Sequence, residues 1–201
     1  MTKRSLLSLL ILIVSLLVGI DLSAQQFPID ETGKIVFIEV IEVDSIKKEE
    51  LFQNVTNLLN ESKTKVKNKL THLEKDSVNS KIKGDFKFMV YSQSGVLTKI
   101  SGAITYTLSI EMKDNRYRYV FNDFVFHDYK QNRNYEYVET GVTKSLEDTK
   151  ASGWQKLWNN HRFITYEKVV EEIKNLKIRI LEKEQPPTTT PIAITTKKTD
   201  W

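Results

Sequence analysis

The clearest pattern in the chain is an unbroken alternation of apolar and polar residues over positions 103–113. Large apolar side chains occupy every second position, which predicts a strand with one face in a core and one face in solvent. Asp114 and Asn115 then favour a turn, and a second alternating run begins at Tyr117. The pattern therefore predicts a long antiparallel hairpin whose register is well determined.

The phase of the second run flips at Asn122 and Asp123, after which Phe124 and Phe126 become the apolar set. A flip by one residue inside a strand is typical of a β-bulge, or of a change in which face is covered. We therefore predict an irregularity in the second strand of the hairpin.

Further elements flank the hairpin on both sides. Residues 34–43 are rich in Val and Ile on both faces and predict a strand inside the sheet, and residues 79–91 predict another strand. An apolar stripe that follows Ser45 as N-cap predicts a helix ending near residue 62. Residues 63–73 fit a continued helix, a short strand or a loop. Residues 135–142 predict a short edge strand, and an apolar stripe over 166–181 predicts a final helix.

The order is strand, helix, three or four antiparallel strands, helix. This order predicts an α+β fold, in which an antiparallel sheet of four to five strands packs on two helices.

The two ends of the chain differ in composition from the middle. Lys3 and Arg4 precede an almost continuous Leu, Ile and Val run over residues 6–20, and Ser23 and Ala24 provide small residues for cleavage. We expect a signal peptide over 1–24, with an uncleaved anchor as the alternative, although the apolar run is short for a span of roughly 20 residues. Residues 25–184 then form a single α+β domain, and 185–201 form a disordered Thr-rich tail.

The chain contains no Cys, which excludes disulfides, thiolate catalysis, sulfur-ligated metals and a lipid anchor at the cleavage site. Its formal net charge of +4 becomes +3 without residues 1–24, with 28 basic and 25 acidic residues mixed in sequence. This balance and the export signal argue against nucleic-acid binding. We expect an exported protein, periplasmic or extracellular, that is not lipid-anchored and has no stable membrane span after signal cleavage.

Several stretches carry a family resemblance. Residues 32–35 read TGKI, residues 43–44 read VD, the first helix follows around Leu51, and the hairpin contains KDNRYRY at 113–119. Over residues 27–129 the chain resembles a family of exported bacterial proteins that contain a domain of unknown function with a TBP-like fold. The resemblance implies the element order β-α-β-β-β-(β)-α of one half of the TATA-binding protein. It implies neither DNA binding nor catalytic residues, because a fold does not determine a function.

Candidate catalytic and metal-binding residues are scattered. His72, His127 and His161 lack the spacing of three or four residues that a helical zinc site requires. His127 precedes Asp128, but neighbours on a strand point to opposite faces and would not pair there. The sequence has no Gly-x-Ser-x-Gly motif and no glycine-rich phosphate loop. We therefore expect no cofactor, no metal site and no enzyme activity.

Basic and aromatic residues provide the best candidate for a partner-binding face. Arg116 and Arg118 have the solvent-side phase of the second hairpin strand, and Tyr135 and Tyr137 follow that strand. Together with other aromatic residues they would suit a sugar or a peptide, whereas packing beneath the helices is the alternative. We expect a non-catalytic binding or structural domain of the cell envelope, with an envelope protein or glycan as partner. The alternative is an envelope hydrolase with a carboxylate/His site assembled in space.

Overall fold

The computed structural model of the protein describes residues 27–62, 68–94, 97–151 and 153–181. The predicted signal peptide (1–24) and the predicted tail (185–201) lie outside these described residues. The elements follow in the order β1 (Phe37–Glu42), α1 (Lys48–Ser62), β2 (Lys69–Asp76), β3 (Lys81–Ser94), β4 (Leu97–Lys113), β5 (Arg116–Gln131), β6 (Tyr137–Ser145) and α2 (Gln155–Leu181).

All six strands form one antiparallel sheet in the order β1-β5-β4-β3-β2, and β6 also pairs with β5. β1 pairs with the first half of β5 and β6 pairs with its second half, so the two strands share one edge of β5. The predicted α+β class, with an antiparallel sheet and two helices, is confirmed. The sheet has six strands where the sequence predicts four to five.

β4 and β5 form the predicted hairpin, and Asn115 in its turn has a left-handed backbone with a φ of 61°. The predicted bulge is also present, because Asp123 and Phe124 together lie opposite the single residue Tyr106 of β4. Asp123 takes a positive φ of 56° at this point. Phe121 and Phe124 are three residues apart and would lie on opposite faces of a regular strand, but the extra residue allows both to enter the core.

The prediction that residues 34–43 form a strand inside the sheet is wrong. Among the described strands β1 pairs only with β5, so it lies at an edge. Phe37 and Ile41 face the core, whereas Ile38 and Val40 are more than half exposed on the opposite face. The apolar composition of a central strand is therefore present on an edge strand.

The stretch 63–73, for which the sequence leaves three interpretations, contains the start of β2. Leu70 and Leu73 both face the core because a bulge at Thr71 inserts an extra residue between them. The resulting spacing of three imitates a helix, so the apolar period alone does not identify the strand.

α1 ends where the sequence predicts, but its start is fixed differently. Ser45 has a left-handed backbone (φ 59°) three residues before the helix, so it is not the N-cap. Instead the carboxylate of Asp114, in the β4–β5 turn, accepts a hydrogen bond from the backbone N–H of Lys48 at 3.0 Å. The N–H of Asn115 in the same turn donates to the carbonyl of Ile46 at 2.9 Å. The hairpin turn thus holds the beginning of the helix.

Both helices cover one face of the sheet and bury a common core against it. Phe86 and Tyr106 stack at 5.3 Å between ring centroids in the middle of this core. The side chain of Asn54 on α1 donates to the carbonyl of Ile180 on α2 at 3.0 Å, which ties the two helices together. Neither α1 nor α2 is long and apolar enough to cross a membrane.

Candidate functional site

The sheet surface opposite the helices, here called the open face, carries no described helix. Cross-strand partners on this surface are mostly polar or charged, as the alternation in β4 predicts. The open face includes Ile38 and Val40 of β1, Lys81, Lys83, Asp85 and Lys87 of β3, Thr105, Thr107, Glu111 and Lys113 of β4, Arg116, Arg118 and His127 of β5, and Glu139 of β6.

Arg116 and Arg118 lie at the end of the open face where β5 begins. Arg118 Nη2 is 2.5 Å from Glu111 Oε2, and Lys81 Nζ is 3.1 Å from Glu111 Oε1. The hydrogen bond from Arg118 is the main cause that holds the pKa of Glu111 below its ordinary value. Within the described ranges Arg116 makes no ion pair, so its guanidinium is available to a partner.

A groove of about 240 Å³ runs beside these two arginines. Its lining is Val40, Glu111, Lys113, Arg116, Tyr117 and Arg118. An exposed aliphatic wall beside three basic side chains and one carboxylate favours an acidic partner over a basic one.

Tyr135 and Tyr137 lie at the other end of the sheet. Tyr135 is 81% exposed in the turn after β5, and Tyr137 opens β6 opposite Gln131. The part of β5 between Arg118 and Gln131 spans on the order of 40 Å in an extended strand. The structure therefore does not bring the two predicted arginines together with the two predicted tyrosines.

Two further tyrosines of the hairpin pack beneath the helices, which is the alternative that the sequence leaves open for the aromatic residues. Tyr119 is 3% exposed, and its hydroxyl donates to Glu39 Oε2 at 2.5 Å. The same oxygen lies 2.6 Å from Lys177 Nζ on α2. Burial raises the pKa of Tyr119, and it raises that of Tyr117 to about 12. Tyr119 thus joins the sheet to α2 through Glu39, and neither of the two buried rings offers a stacking surface.

The open face also carries a hydrogen-bonded chain of five side chains, one of which is Tyr129, whose hydroxyl donates to Glu139 Oε2 at 3.3 Å. His127 Nδ1 lies 2.7 Å from Glu139 Oε1, and His127 Nε2 lies 3.0 Å from Thr105 Oγ1. Lys87 Nζ lies 3.2 Å from Glu139 Oε2. The hydrogen bond from His127 is the main cause that lowers the pKa of Glu139. A hydroxyl, an imidazole and a carboxylate in this order have the connectivity of a nucleophile, its general base and an orienting acid.

Asp128 takes no part in this chain, as its position next to His127 on a strand predicts. It points to the helix side, where its Oδ2 accepts a hydrogen bond from Thr140 Oγ1 at 2.9 Å. Asp128 there lines a second concave site, a cleft of about 330 Å³ between the start of β4, the strands β5 and β6, and the first turns of α2.

The cleft contains a second hydroxyl–imidazole pair. Ser101 Oγ lies 2.9 Å from His161 Nε2, and both residues line the cleft. Burial lowers the pKa of His161 to about 4, so its imidazole is neutral near pH 7. A base with such a low pKa is poorly matched to general-base catalysis at neutral pH.

Sequence reasoning did not identify Thr105, Glu139, Ser101 or the role of His161. The partners in each pair come from distant parts of the chain, and bulges in β4, β5 and β6 set which side chains meet. The one available signal was the alternation in β4, which places Thr105 on the solvent-side face.

Candidate metal ligands and paired carboxylates do not converge in the part of the chain that the structure describes. It contains no group of three or more His, Asp or Glu side chains suited to a metal ion. Glu147 Oε1 accepts from the backbone N–H of Ile35 at 3.0 Å, whereas Asp148 pairs with Lys144 at 3.1 Å. These neighbouring carboxylates therefore serve separate structural contacts.

The comparisons with known proteins agree with this architecture. Residues 37–127 match the model of a family described as a domain of unknown function (DUF4468) with TBP-like fold, which confirms the predicted resemblance. A DUF4468 family protein from Bacteroides ovatus ATCC 8483 is 13% identical, with 83% of this chain and 95% of that chain covered at a TM-score of 0.52. A TBP-like protein from Parabacteroides distasonis ATCC 8503 is 20% identical, with 74% and 95% covered at a TM-score of 0.48. No curated protein matches the chain. The likeness to the B. ovatus protein shows the fold alone.

Proposed function

Because residues 37–127 carry a domain of unknown function with a TBP-like fold, which assigns no activity, we propose a function from the open face. The protein is an exported, non-catalytic binding domain of the bacterial cell envelope, and its partner is an acidic envelope protein or glycan. The observation that supports this proposal is the excess of basic side chains on β3, β4 and β5, along the surface that no described helix covers.

The basic side chains of the open face are concentrated on the inner strands β3, β4 and β5, a region called here the basic centre. The three strands carry Lys81, Lys83, Lys87, Lys113, Arg116 and Arg118 against Asp85 and Glu111. Further carboxylates, such as Glu42 and Glu139, belong to the outer strands. Among the described residues Lys83, Lys113 and Arg116 form no ion pair, although Glu74 and Glu42 lie opposite Lys83 and Arg116 in the neighbouring strands, so these three cations can each bind a further carboxylate. An acidic partner would supply the missing counter-charges.

Cosedimentation with an isolated envelope fraction tests the role of the open face. The variant K83E/R116E reverses two unpaired charges and leaves the Arg118–Glu111–Lys81 contacts in place, so it should keep its fold and lose most of its binding. The matched control K156E/K174E makes the same change of net charge on exposed positions of α2 and should bind like the natural protein. Binding should also weaken as salt is raised, because exposed charges are screened. Equal binding by both variants would contradict the proposal.

The proposed location rests on the basic start, the apolar run at 6–20 and the small residues Ser23 and Ala24. Cell fractionation should find the protein in the envelope or the medium, and N-terminal sequencing should begin at Gln25. An intact N-terminus on a cytosolic protein would contradict both the location and the envelope partner.

A second candidate function is supported by the Thr105–His127–Glu139 chain, which has the connectivity of a hydrolase nucleophile and its base. We place it second because the backbone on both sides of Thr105 pairs with β3 and β5, which leaves those N–H groups unsuited to stabilise an oxyanion. A fluorophosphonate probe decides between the two. Labelling of Thr105 that is lost in His127→Ala would establish the hydrolase, and absence of labelling supports the binding domain.

A further inference from the structure

The cleft on the helix side, called here the Ser101 cleft, lies away from the open face. Its volume is about 330 Å³, within the lower part of the range for small-ligand sites. Its lining combines aromatic side chains with hydroxyl, imidazole, carboxylate and ammonium groups, among them Ser101, Phe126, Asp128, Lys144, Trp154 and His161.

A β-bulge aims Ser101 into this cleft. Val90 pairs with Gly102 and Tyr91 pairs with Ile100, so Ser101 is the extra residue of β4. Bulges re-aim side chains in this way and are frequent beside functional sites. The neighbouring position 102 has room only for glycine, because a Cβ there would lie 2.3 Å from the Phe126 ring and 2.4 Å from the His127 carbonyl.

The contacts of His161 indicate where the hydroxyl hydrogen of Ser101 points. His161 is 2% exposed and stacks on Phe126 at 5.6 Å, and its Nδ1 has no hydrogen-bond partner within the described residues. A buried N–H without a partner is rarer than a buried lone pair without one. We therefore assign the imidazole hydrogen to Nε2, which donates to Ser101 Oγ. The hydroxyl hydrogen of Ser101 is then free to donate into the cleft.

The remaining walls supply an acceptor, a cation and an aromatic surface. Asp128 presents a carboxylate, of which Oδ2 also accepts from Thr140. Lys144 Nζ lies 3.1 Å from Asp148 and 4.9 Å from the ring centroid of Trp158, which fixes the cation at the rim. Trp154 is 63% exposed, so its indole forms a wall of the cleft and is not part of the core.

This set of groups discriminates between ligand classes. A purely aliphatic ligand would strip water from Asp128 and Ser101 without giving them a hydrogen-bond partner, which is unfavourable. A sugar ring has hydroxyl groups around its edge, which both donate and accept, and C–H groups on its faces, which pack on an indole. The lining offers a donor, an acceptor and an exposed Trp for these three requirements.

We propose that the Ser101 cleft is a carbohydrate-binding site that takes one or two sugar rings of a glycan, stacked on Trp154 and hydrogen-bonded by Ser101 and Asp128. The site goes beyond the proposed function, because it lies on the opposite side of the sheet from the open face and involves none of its charges.

Titration of the full-length mature protein with chitobiose and with cellobiose tests this site, with intrinsic tryptophan fluorescence as the readout. The chitobiose is used in its N,N′-diacetyl form, which differs from cellobiose in carrying acetamido groups in place of the 2-hydroxyl groups, so the two β-linked disaccharides separate recognition of N-acetylated amino sugars from recognition of neutral sugars. At least one of them should shift the emission to shorter wavelength and saturate below about 50 mM. Absence of saturation with both disaccharides would overturn the proposal.

Variants locate the binding. Trp154→Ala should abolish saturable binding, measured by isothermal titration calorimetry because this variant lacks the reporting indole. Ser101→Ala should weaken binding by about fivefold to tenfold, the effect of one lost hydrogen bond. Phe163→Ala is the matched control, because Phe163 is a half-exposed aromatic residue of α2, the helix that begins directly after Trp154, and it lies outside the cleft. If Phe163→Ala lowers the affinity as much as Trp154→Ala, the site is not the Ser101 cleft. K83E/R116E should bind disaccharide normally, which keeps a failure of this proposal distinct from a failure of the open-face proposal.

Discussion

At the residue scale, the alternation in β4 separates two environments cleanly. Ile110 is fully buried and Leu108 is 4% exposed, whereas the interleaved Ser109 and Glu111 reach solvent on the open face. Leu108 and Ile110 therefore contribute to the core through burial alone, whereas Tyr106 of the same strand also accepts a hydrogen bond from Asn68 Nδ2 at 2.8 Å.

Leu108→Ala should lower the free energy of unfolding by about 2–5 kcal/mol, because it leaves a cavity beneath the helices. Ser109→Ala, the neighbouring change on the open face, should alter it by less than about 0.5 kcal/mol. Urea unfolding of both variants measures the difference. A loss of less than about 1 kcal/mol for Leu108→Ala would show that this face is not the core.

His161 gives a pH-dependent prediction. Its pKa is about 4 in the folded protein and 6.5 in the unfolded chain, so the unfolded chain takes up the proton first as the pH falls. Stability should therefore be independent of this group above its unfolded pKa and should decrease toward the folded pKa, by up to about 3 kcal/mol. His161→Phe lacks the titrating group, so the natural protein should lose stability relative to this variant between about pH 7 and pH 4.5. Parallel stability curves over this range would contradict the assignment of His161 as a buried neutral imidazole.

At the element scale, the β4–β5 turn does more than reverse the chain. Asp114 accepts the hydrogen bond from Lys48 N–H that opens α1, so the hairpin and the helix form one connected unit. A local N-cap at Ser45 was the natural expectation from sequence, and a residue 66 positions away provides the cap instead.

Asp114→Ala should destabilise the protein by about 0.5–2 kcal/mol, the typical cost of losing an N-cap. Ser45→Ala removes the hydroxyl that the sequence assigns to the cap. It should change the free energy of unfolding by a few tenths of a kcal/mol at most. Thermal unfolding with circular dichroism compares the two. A larger loss for Ser45→Ala than for Asp114→Ala would restore Ser45 as the cap.

The elements that sequence predicts well are those with an undisturbed period. The β4–β5 hairpin and both helices follow from local alternation or from stripes at helical spacing, since burial on one side is enough to produce them. β2 is obscured because its bulge at Thr71 gives Leu70 and Leu73 a helical spacing. The edge position of β1 depends on which strands pair with β5, and side-chain composition contains no information on that pairing.

The candidate site also has parts that the sequence predicts and parts that it does not. The phase of β5 correctly places Arg116 and Arg118 on the solvent side of the sheet. The contact between His127 and Glu139 depends on the register of β5 against β6, which shifts after His127, and no local pattern encodes it. The Ser101–His161 pair depends on one bulge and on the path of α2 over the sheet.

At the scale of the whole molecule, α1 and α2 lie on one side of the six-stranded sheet, and no other element of the described residues covers the opposite side. The exposed Ile38 and Val40 of the edge strand β1 border the basic centre of this surface. Exposed apolar residues on an edge strand invite association, and the neighbouring positive charges restrict which partners are favourable. The open face and the Ser101 cleft are thus two separable surfaces, and we propose an acidic partner for the first and a sugar for the second.

The most direct test of the central claim is lysine acetylation of the protein in intact envelopes, followed by mass spectrometry. The open-face lysines Lys81, Lys83 and Lys113 should be protected relative to the purified protein. Lys156 and Lys174, on exposed positions of α2, should react equally in both preparations. Protection confined to the α2 lysines, or none at all, would contradict the assignment of the open face as the partner-binding surface.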